Sequence, residues 1–342
     1  MSQISVNDIS SLDGKSGPVI SGITTVSSTG YMMVPAGPTE YRGGRGRGLF
    51  AGGYQPAVLN VIEYITISTE GNSLDFGDLV AGRIFLSACS SSTRGVFAGG
   101  DTPTFSNQID YVTISSTGNA FDFGDLLRAR RGIGGASSNT RGIWFSGTHP
   151  GPSSNPTKDI EYITIATTGN SSSFGELNEL RAWAAACSSP TRAVVGGGRI
   201  ASTTVINSME YVTIATTGDA QDFGDLTVAR GFFGACSSPV RGIFAGGYTP
   251  TRVNTIDYIT IASLGDSIDF GDLSQTRGEL QSTSNSIRGV FAGGLTTGPV
   301  TNHDDIDFIT ITTLGNAAAF GVLSEGKAGH DSGCSDAHGG LG

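Results

Sequence analysis

One unit recurs six times along this chain, beginning at Arg47, Arg94, Arg141, Arg192, Arg241 and Arg288, with successive spacings of 47, 47, 51, 49 and 47 residues. Each copy runs through an apolar stretch to a glycine pair (Gly52 and Gly53, Gly99 and Gly100, Gly246 and Gly247, Gly293 and Gly294). A variable stretch then leads to a second apolar segment such as "IEYITI" or "IDYITI". A Gly-bearing turn and "DFGDL" or a close variant follow. The unit ends on a segment that starts at a basic residue and finishes in a Ser-rich turn, as in "RGFFGACSSP" at 230–239. Short β-branched and aromatic runs bounded by Gly, Ser, Asn and Asp read as strands joined by turns, so each unit carries four strands. Self-similarity at a fixed period requires a fold built by repetition.

Four-stranded units of about 40 to 50 residues are what β-propeller blades look like in sequence. The segment "IDYITI" agrees, because it is apolar on both faces, whereas a strand in a one-sided sheet alternates apolar with polar. Blades stack face to face, which buries their middle strands on both sides. A solenoid, the rival repeat architecture, needs shorter coils and end caps. Here the two ends complement each other instead. The first unit starts with its second strand, while "KAGHDSGCSDAHGG" at 327–340 occupies the place of the missing strand after Leu323. The expectation is an all-β, six-bladed propeller at 47–342, its first blade completed by the C-terminal strand, preceded by a short β arm at 1–46. Closing the ring removes an open sheet edge.

The 52 glycines and the many Ser and Thr residues fit strands and turns, and no helix of three or more turns is expected. The formal charge is −10 and there is no basic stripe of the kind that neutralises phosphates, so nucleic acid is not an expected partner. The first thirty residues hold no basic segment followed by an apolar run, and no stretch of eighteen apolar residues occurs. Neither export nor membrane insertion is expected. Four cysteines are too few for a disulfide framework in a chain this long and read as thiols.

The stretches between the glycine position and the "IDY" position contain 8, 8, 12, 10, 8 and 11 residues, and the excess over eight accounts for all the variation in period. In a propeller these loops share one face, which makes that face the candidate recognition surface. The loops carry Tyr54, Phe105, His149, Arg199, Tyr248, Arg252 and His303 among Asn and Thr, a mix suited to stacking on sugars or to protein contact. The other explanation is length drift where nothing constrains a loop.

The repeated residues have structural readings. Gly71, Gly118, Gly169, Gly218, Gly265 and Gly315 fall in the turn before the last strand of each blade, where positive φ costs glycine nothing. The six strand-start arginines are expected to pair with Asp78, Asp125, Glu176, Asp225 and Asp272 in a structural ring of ion pairs. Cys89, Cys187 and Cys236 share a repeat position with Ala136 and Thr283, so a small buried side chain satisfies it. Period-2 geometry would put His330, Cys334, Asp336 and His338 on one strand face, a set that could hold a transition metal or simply belong to the closing strand. The closing strand is the adopted reading, with no metal and no cofactor expected. Nor is catalysis, since one residue per blade repeated six times is not a convergent, asymmetric site.

Two resemblances add to this reading. The hydrophobic strand ending in a glycine pair, the Tyr after it in "AGGY" at 51–54 and 245–248, and the aromatic of the next strand resemble the kelch repeat. Phe76, Phe123, Phe174, Phe223, Phe270 and Phe320 stand where that repeat carries Trp, and Ser146 replaces one glycine. This resemblance implies the fold and little about function. In the arm, "VISGITTVSSTGYMMVPAGPTEYRGGRGRG" at 19–48 resembles a short β module of bacteriophage tail-fibre and other virion proteins. Thr29, Gly30, Pro35, Gly37, Thr39 and Arg42 hold the module's positions, with Pro38 inserted. The units with "FAGG", "DYITI" and "DFGDL" resemble repeats in structural proteins of phages that infect cyanobacteria.

These resemblances imply a non-enzymatic phage virion protein, assembled in the host cytoplasm. Its arm would bind other virion proteins, its copies would associate within the particle, and its loop face would bind a host-surface glycan or protein, as in a tail fibre or adhesin. One alternative is a capsid, neck or tail decoration protein that contacts only virion subunits. The other is a lectin-like or hydrolytic propeller of cellular origin.

Overall fold

The structure is a computed structural model that describes residues 46–151, 155–201, 203–296, 301–329 and 332–341. The arm, apart from Gly46, and His330 lie outside the described residues. Six antiparallel sheets of four strands form the expected propeller. From the inside outwards, the first blade consists of Gly333–Ser335, Arg47–Ala51, Val61–Thr66 and Leu74–Asp78, and the second of Ser87–Ser90, Arg94–Ala98, Gln108–Thr113 and Phe121–Asp125. The innermost strands of the remaining blades are Gly134–Ser137, Ala185–Ser188, Gly234–Ser237 and Gln281–Ser284. The C-terminal strand closes the ring, with Gly48 opposite Ser335, Leu49 opposite Cys334 and Phe50 opposite Gly333.

Each third strand is buried on both faces at its centre, as its apolar pattern requires: Ile62, Glu63 and Ile65 are all buried in the first blade. Its pairing with the outer strand slips by one residue at Glu63, leaving Phe76 as the extra residue of a β-bulge. The bulge turns Phe76 into the interface, where it meets Tyr64 edge to face at 6.1 Å. The same contact recurs in every blade, down to Phe308 on Phe320 at 5.9 Å.

The strand-start arginines do not form the expected ring of ion pairs with the outer-strand acids. Each lies over the aromatic ring of its own third strand, with Arg47 4.6 Å from the Tyr64 centroid and Arg192 4.3 Å from that of Tyr211. Each also donates to a backbone carbonyl of the next blade: Arg47 to Ile114 at 2.8 Å, Arg94 to Ile165 at 3.0 Å and Arg288 to Ile67 at 3.4 Å. The reason is the antiparallel register. Arg47 is opposite Thr66 while Asp78 is opposite Val61, so the two sets of charges sit at opposite ends of the blade.

The buried ion pairs belong to a second basic series that the same repeat carries. Between one blade's outer strand and the next blade's innermost strand, the chain crosses the loop face. Each crossing sends down one basic side chain: Arg83, Arg130, Arg181, Arg230, Arg277 or Lys327. Their partners are the third-strand acids Asp110, Glu161, Glu210, Asp257, Asp307 and Glu63, all buried. The Arg83 to Asp110 distance is 2.5 Å, and Arg83 also donates to the carbonyls of Gly99 and Gln108. The acid grips the crossing a second time, as when Asp110 accepts the Val80 amide and Glu161 the Leu127 amide. For the first blade the clamp is Lys327, from the C-terminal segment. Burial works against the Glu63 carboxylate, but the Lys327 charge and the bonds from Ser73 and Ser324 hold it below its ordinary range.

Nearer the axis, the contacts are made by small residues. A Cβ on Gly142 would lie 2.5 Å from Cys89 Sγ of the neighbouring blade, and Gly289 and Gly95 meet Cys236 and Cys334 in the same way. In the one copy that reads Arg-Ala instead of Arg-Gly, at Ala193, the neighbouring blade carries Ala136 in place of cysteine, and the two share a core cluster. Six serines tie the innermost strands together. Ser90, Ser137, Ser188, Ser237, Ser284 and Ser335 each donate Oγ–H to the carbonyl of the serine one blade back, at 2.5–2.8 Å, in a closed cycle.

Beyond that cycle the C-terminal turn Gly339–Leu341 packs on Ser137, Ser188 and Ser238, so tightly that Gly339 and Gly340 leave no room for a Cβ. His338 Nε2 lies 3.0 Å from the Ser90 carbonyl, and Asp336 accepts the Arg47 amide at 2.7 Å. Cys334 occupies the buried repeat position already described. Asp336 and His338 are thus engaged in separate structural contacts, and His338 lines the cavity of about 50 Å³ between the six innermost strands.

Two outcomes test this packing. Gly142→Ala is expected to cost about 1–3 kcal/mol by overpacking against Cys89. Adding Cys89→Ala, which reproduces the Ala193 and Ala136 pairing, should recover most of that loss. Strictly additive losses in a denaturant-unfolding cycle would show that the two positions do not touch. Arg230→Met strands the buried Asp257 carboxylate and is expected to lower stability by about 3–5 kcal/mol. Adding Asp257→Leu should return part of it, and a single-variant loss too small to measure by urea unfolding would show that the clamp does not hold the blade.

Candidate ligand-binding site at the channel mouth

Two residues beyond each clamping side chain, the crossing reaches the mouth of the channel. The six residues there are Phe85, Gly132, Trp183, Phe232, Glu279 and Gly329. The first five have φ between 60° and 62°, and four of these five are not glycine. A left-handed backbone is uncommon for bulky residues and costs roughly 1–3 kcal/mol at each such position. What imposes it is a second ring of bonds. The amides of Gly132, Trp183, Phe232, Glu279 and Gly329 each donate to the carbonyl of the preceding member, at 2.6–3.0 Å. Among the described residues the sixth link, from Phe85 to Gly329, is not made.

The side chains on this ring break the sixfold regularity. Phe85 meets Trp183 edge to face at 4.8 Å, Trp183 stacks on Phe232 at 4.5 Å, and Tyr248 meets Phe232 edge to face at 6.4 Å. Arg131, paired with Asp101, lies over Phe105 at 4.5 Å and over Trp183 at 5.7 Å, while Arg199 lies over Phe232 at 5.3 Å. The fifth member is a carboxylate. Glu279 Oε1 is 3.8 Å from Arg252 Nη2, and among the described residues no donor hydrogen-bonds the carboxylate. Burial pushes its pKa up to about 7 against the opposing pull of Arg252.

Two pockets open on either side of Glu279. One, of about 390 Å³, lies between the loops of the fourth and fifth blades and is lined by Arg199, Phe232, Tyr248, Arg252 and Glu279. The other, of about 830 Å³, sits over the unmade link of the ring, between Tyr54, Phe85, Asn302 and Glu279. Both lie on the face that carries the loops of variable length. The opposite end of the channel is the one closed by the C-terminal turn.

Of the seven residues expected at a binding surface, Arg199, Tyr248 and Arg252 come together in the smaller pocket and Tyr54 lines the larger. Phe105 supports Arg131 from below. His149 and His303 line neither pocket. His149 faces the Ala129 carbonyl at 3.2 Å and Asp159 at 3.4 Å, and His303 faces Asp305 at 3.2 Å and Thr296 at 3.1 Å. Phe85, Trp183, Phe232 and Glu279 escaped the sequence reading. Their signal was a position of fixed register, two residues after a repeated basic residue, at which side-chain character changes from copy to copy.

No protein-family model matches this chain, and no curated protein is significantly similar to it.

The raised Glu279 carboxyl has a consequence for stability. Its folded pKa lies above the unfolded value, so between about pH 4.5 and 7 the folded form binds the extra proton, and stability falls as pH rises through that window. Glu279→Gln removes this term. The stability of the variant relative to the parent is expected to improve from pH 4.5 to pH 8, by at most about 3 kcal/mol. A difference in unfolding free energy that stays constant across that range would show that Glu279 is not desolvated.

Proposed function

We propose that this chain is a non-enzymatic recognition protein of a bacteriophage particle, attached by its N-terminal segment and binding a host surface through the loop face of the propeller. The observation that carries the reading is where the repeat gives up its symmetry. The ion pairs and packing contacts within and between the blades repeat with little change, whereas the ring at the channel mouth combines aromatic, acidic and glycine positions held in a strained backbone and flanked by two open pockets. Rigid scaffolds that vary one face, and store strain there, are suited to binding. The virion assignment is supported by the resemblance of the arm, at Thr29, Gly30, Pro35, Gly37, Thr39 and Arg42, to the tail-fibre module.

A second reading, contact with neighbouring virion subunits, is favoured by a separate feature. Leu74, Phe121 and Ile268 open the outermost strands of three blades and are more than half exposed, so the rim offers apolar anchors for another protein. The two readings use different surfaces and can both operate in one particle.

Tyr54 and Tyr248 are exposed enough to be replaced without loss of the fold. Labelled parent protein is expected to bind cyanobacterial host cells, and the Tyr54→Ala, Tyr248→Ala double variant to bind about tenfold less or weaker still. Equal binding by both proteins, or by neither, would remove the loop face as an attachment surface. Absence of the polypeptide from purified particles would remove the virion assignment.

A further inference from the structure

Resting on the recognition reading above, we propose that the smaller pocket binds a carboxylated sugar of the uronic acid class, with Arg199 and Arg252 meeting the carboxylate and Glu279 accepting from hydroxyls. Charge comes first. The pocket holds two guanidinium groups and one carboxylate, and Arg199 has no ion pair and no side-chain hydrogen bond to any described residue. An anion is therefore the complementary ligand, and guanidinium presents paired donors that match a carboxylate.

Glu279 narrows the choice further. Its carboxylate, only 16% exposed, faces the pocket with a single cation at 3.8 Å and no hydrogen-bond donor among the described residues. A carboxylate largely withdrawn from water gains from each donor it meets, so a ligand that brings hydroxyl donors gains more than a bare anion does. Phosphate would place two negative charges beside this carboxylate. A uronic acid separates its one charge from its hydroxyls across a ring. The face of that ring also has a counterpart, because Tyr248 is 36% exposed on the pocket wall beside Phe232. A volume of about 390 Å³ suits a single sugar residue of a longer chain. Phe232 and Glu279 both reach this pocket from the positive-φ backbone of the ring.

The test is titration of the purified full chain with D-glucuronate, D-glucose and acetate, followed by calorimetry or ligand-observed NMR. Glucuronate is expected to bind at least about tenfold more tightly than either control, and Arg199→Met and Glu279→Gln should each weaken it by about tenfold. Circular dichroism melting of both variants checks that they fold. Glucuronate binding no stronger than that of acetate or glucose, or unchanged in folded Arg199→Met, overturns the proposal. The same preparations in the cell-binding assay then separate the two levels. Loop-dependent cell binding without a glucuronate preference overturns the sugar class alone, whereas loss of both overturns the recognition reading with it.

Discussion

The propeller depends on one interaction, the buried pair between a basic side chain on each crossing and an acid at the centre of the following blade. A crossing links neighbouring blades covalently, and it must run inward over the top of a sheet whose third strand is buried on both faces. Placing Glu63, Asp110, Glu161, Glu210, Asp257 and Asp307 in that strand would be unfavourable without a counter-charge. Each carboxylate obtains one from the crossing and also accepts a hydrogen bond from a backbone amide of the same segment. The pair fixes where the crossing lies more than it adds net stability, because the desolvation of two charges offsets much of their attraction. Lys327 extends the same logic to ring closure.

The site follows from that clamp. With the basic residue pinned two positions earlier and each carbonyl accepting the amide of the following crossing, the chain at Phe85, Trp183, Phe232 and Glu279 is held at positive φ. At one equivalent position Gly132 takes that backbone without cost, so the four larger residues are retained against a conformational penalty. Three are aromatic and one is acidic, and together they surround the end of the channel opposite the C-terminal turn. The scaffold supplies rigidity through sixfold repetition, and the mouth supplies chemistry by departing from it.

The small residues show how closely the copies have been adjusted to one another. Glycine follows the strand-start arginine wherever the neighbouring blade presents cysteine or threonine, and alanine follows it where the neighbour presents alanine. Methylene-scale volumes are felt in close-packed interiors. The interface near the axis is therefore set by pairs of positions in adjacent blades.

The number of blades, the four strands of each and the closing role of the C-terminal strand were legible in the amino-acid sequence, because period, strand pattern and turn residues are local properties that every copy repeats. So was the face that varies, since every change in period falls in one loop. Partner choice was not. The sequence carries two basic series and two acidic series at the same period, and nothing local distinguishes Arg47 with Asp78 from Arg83 with Asp110. Antiparallel register decided it, by separating the first pair to opposite ends of the blade and carrying the second pair into its centre. The site was hidden for the same reason. Successive members of the set Phe85, Trp183, Phe232 and Glu279 are 47 to 98 residues apart in the chain and become neighbours only when six crossings converge on one axis. Local chemistry determined the repeating unit, and the geometry of closing the ring determined which of its residues meet.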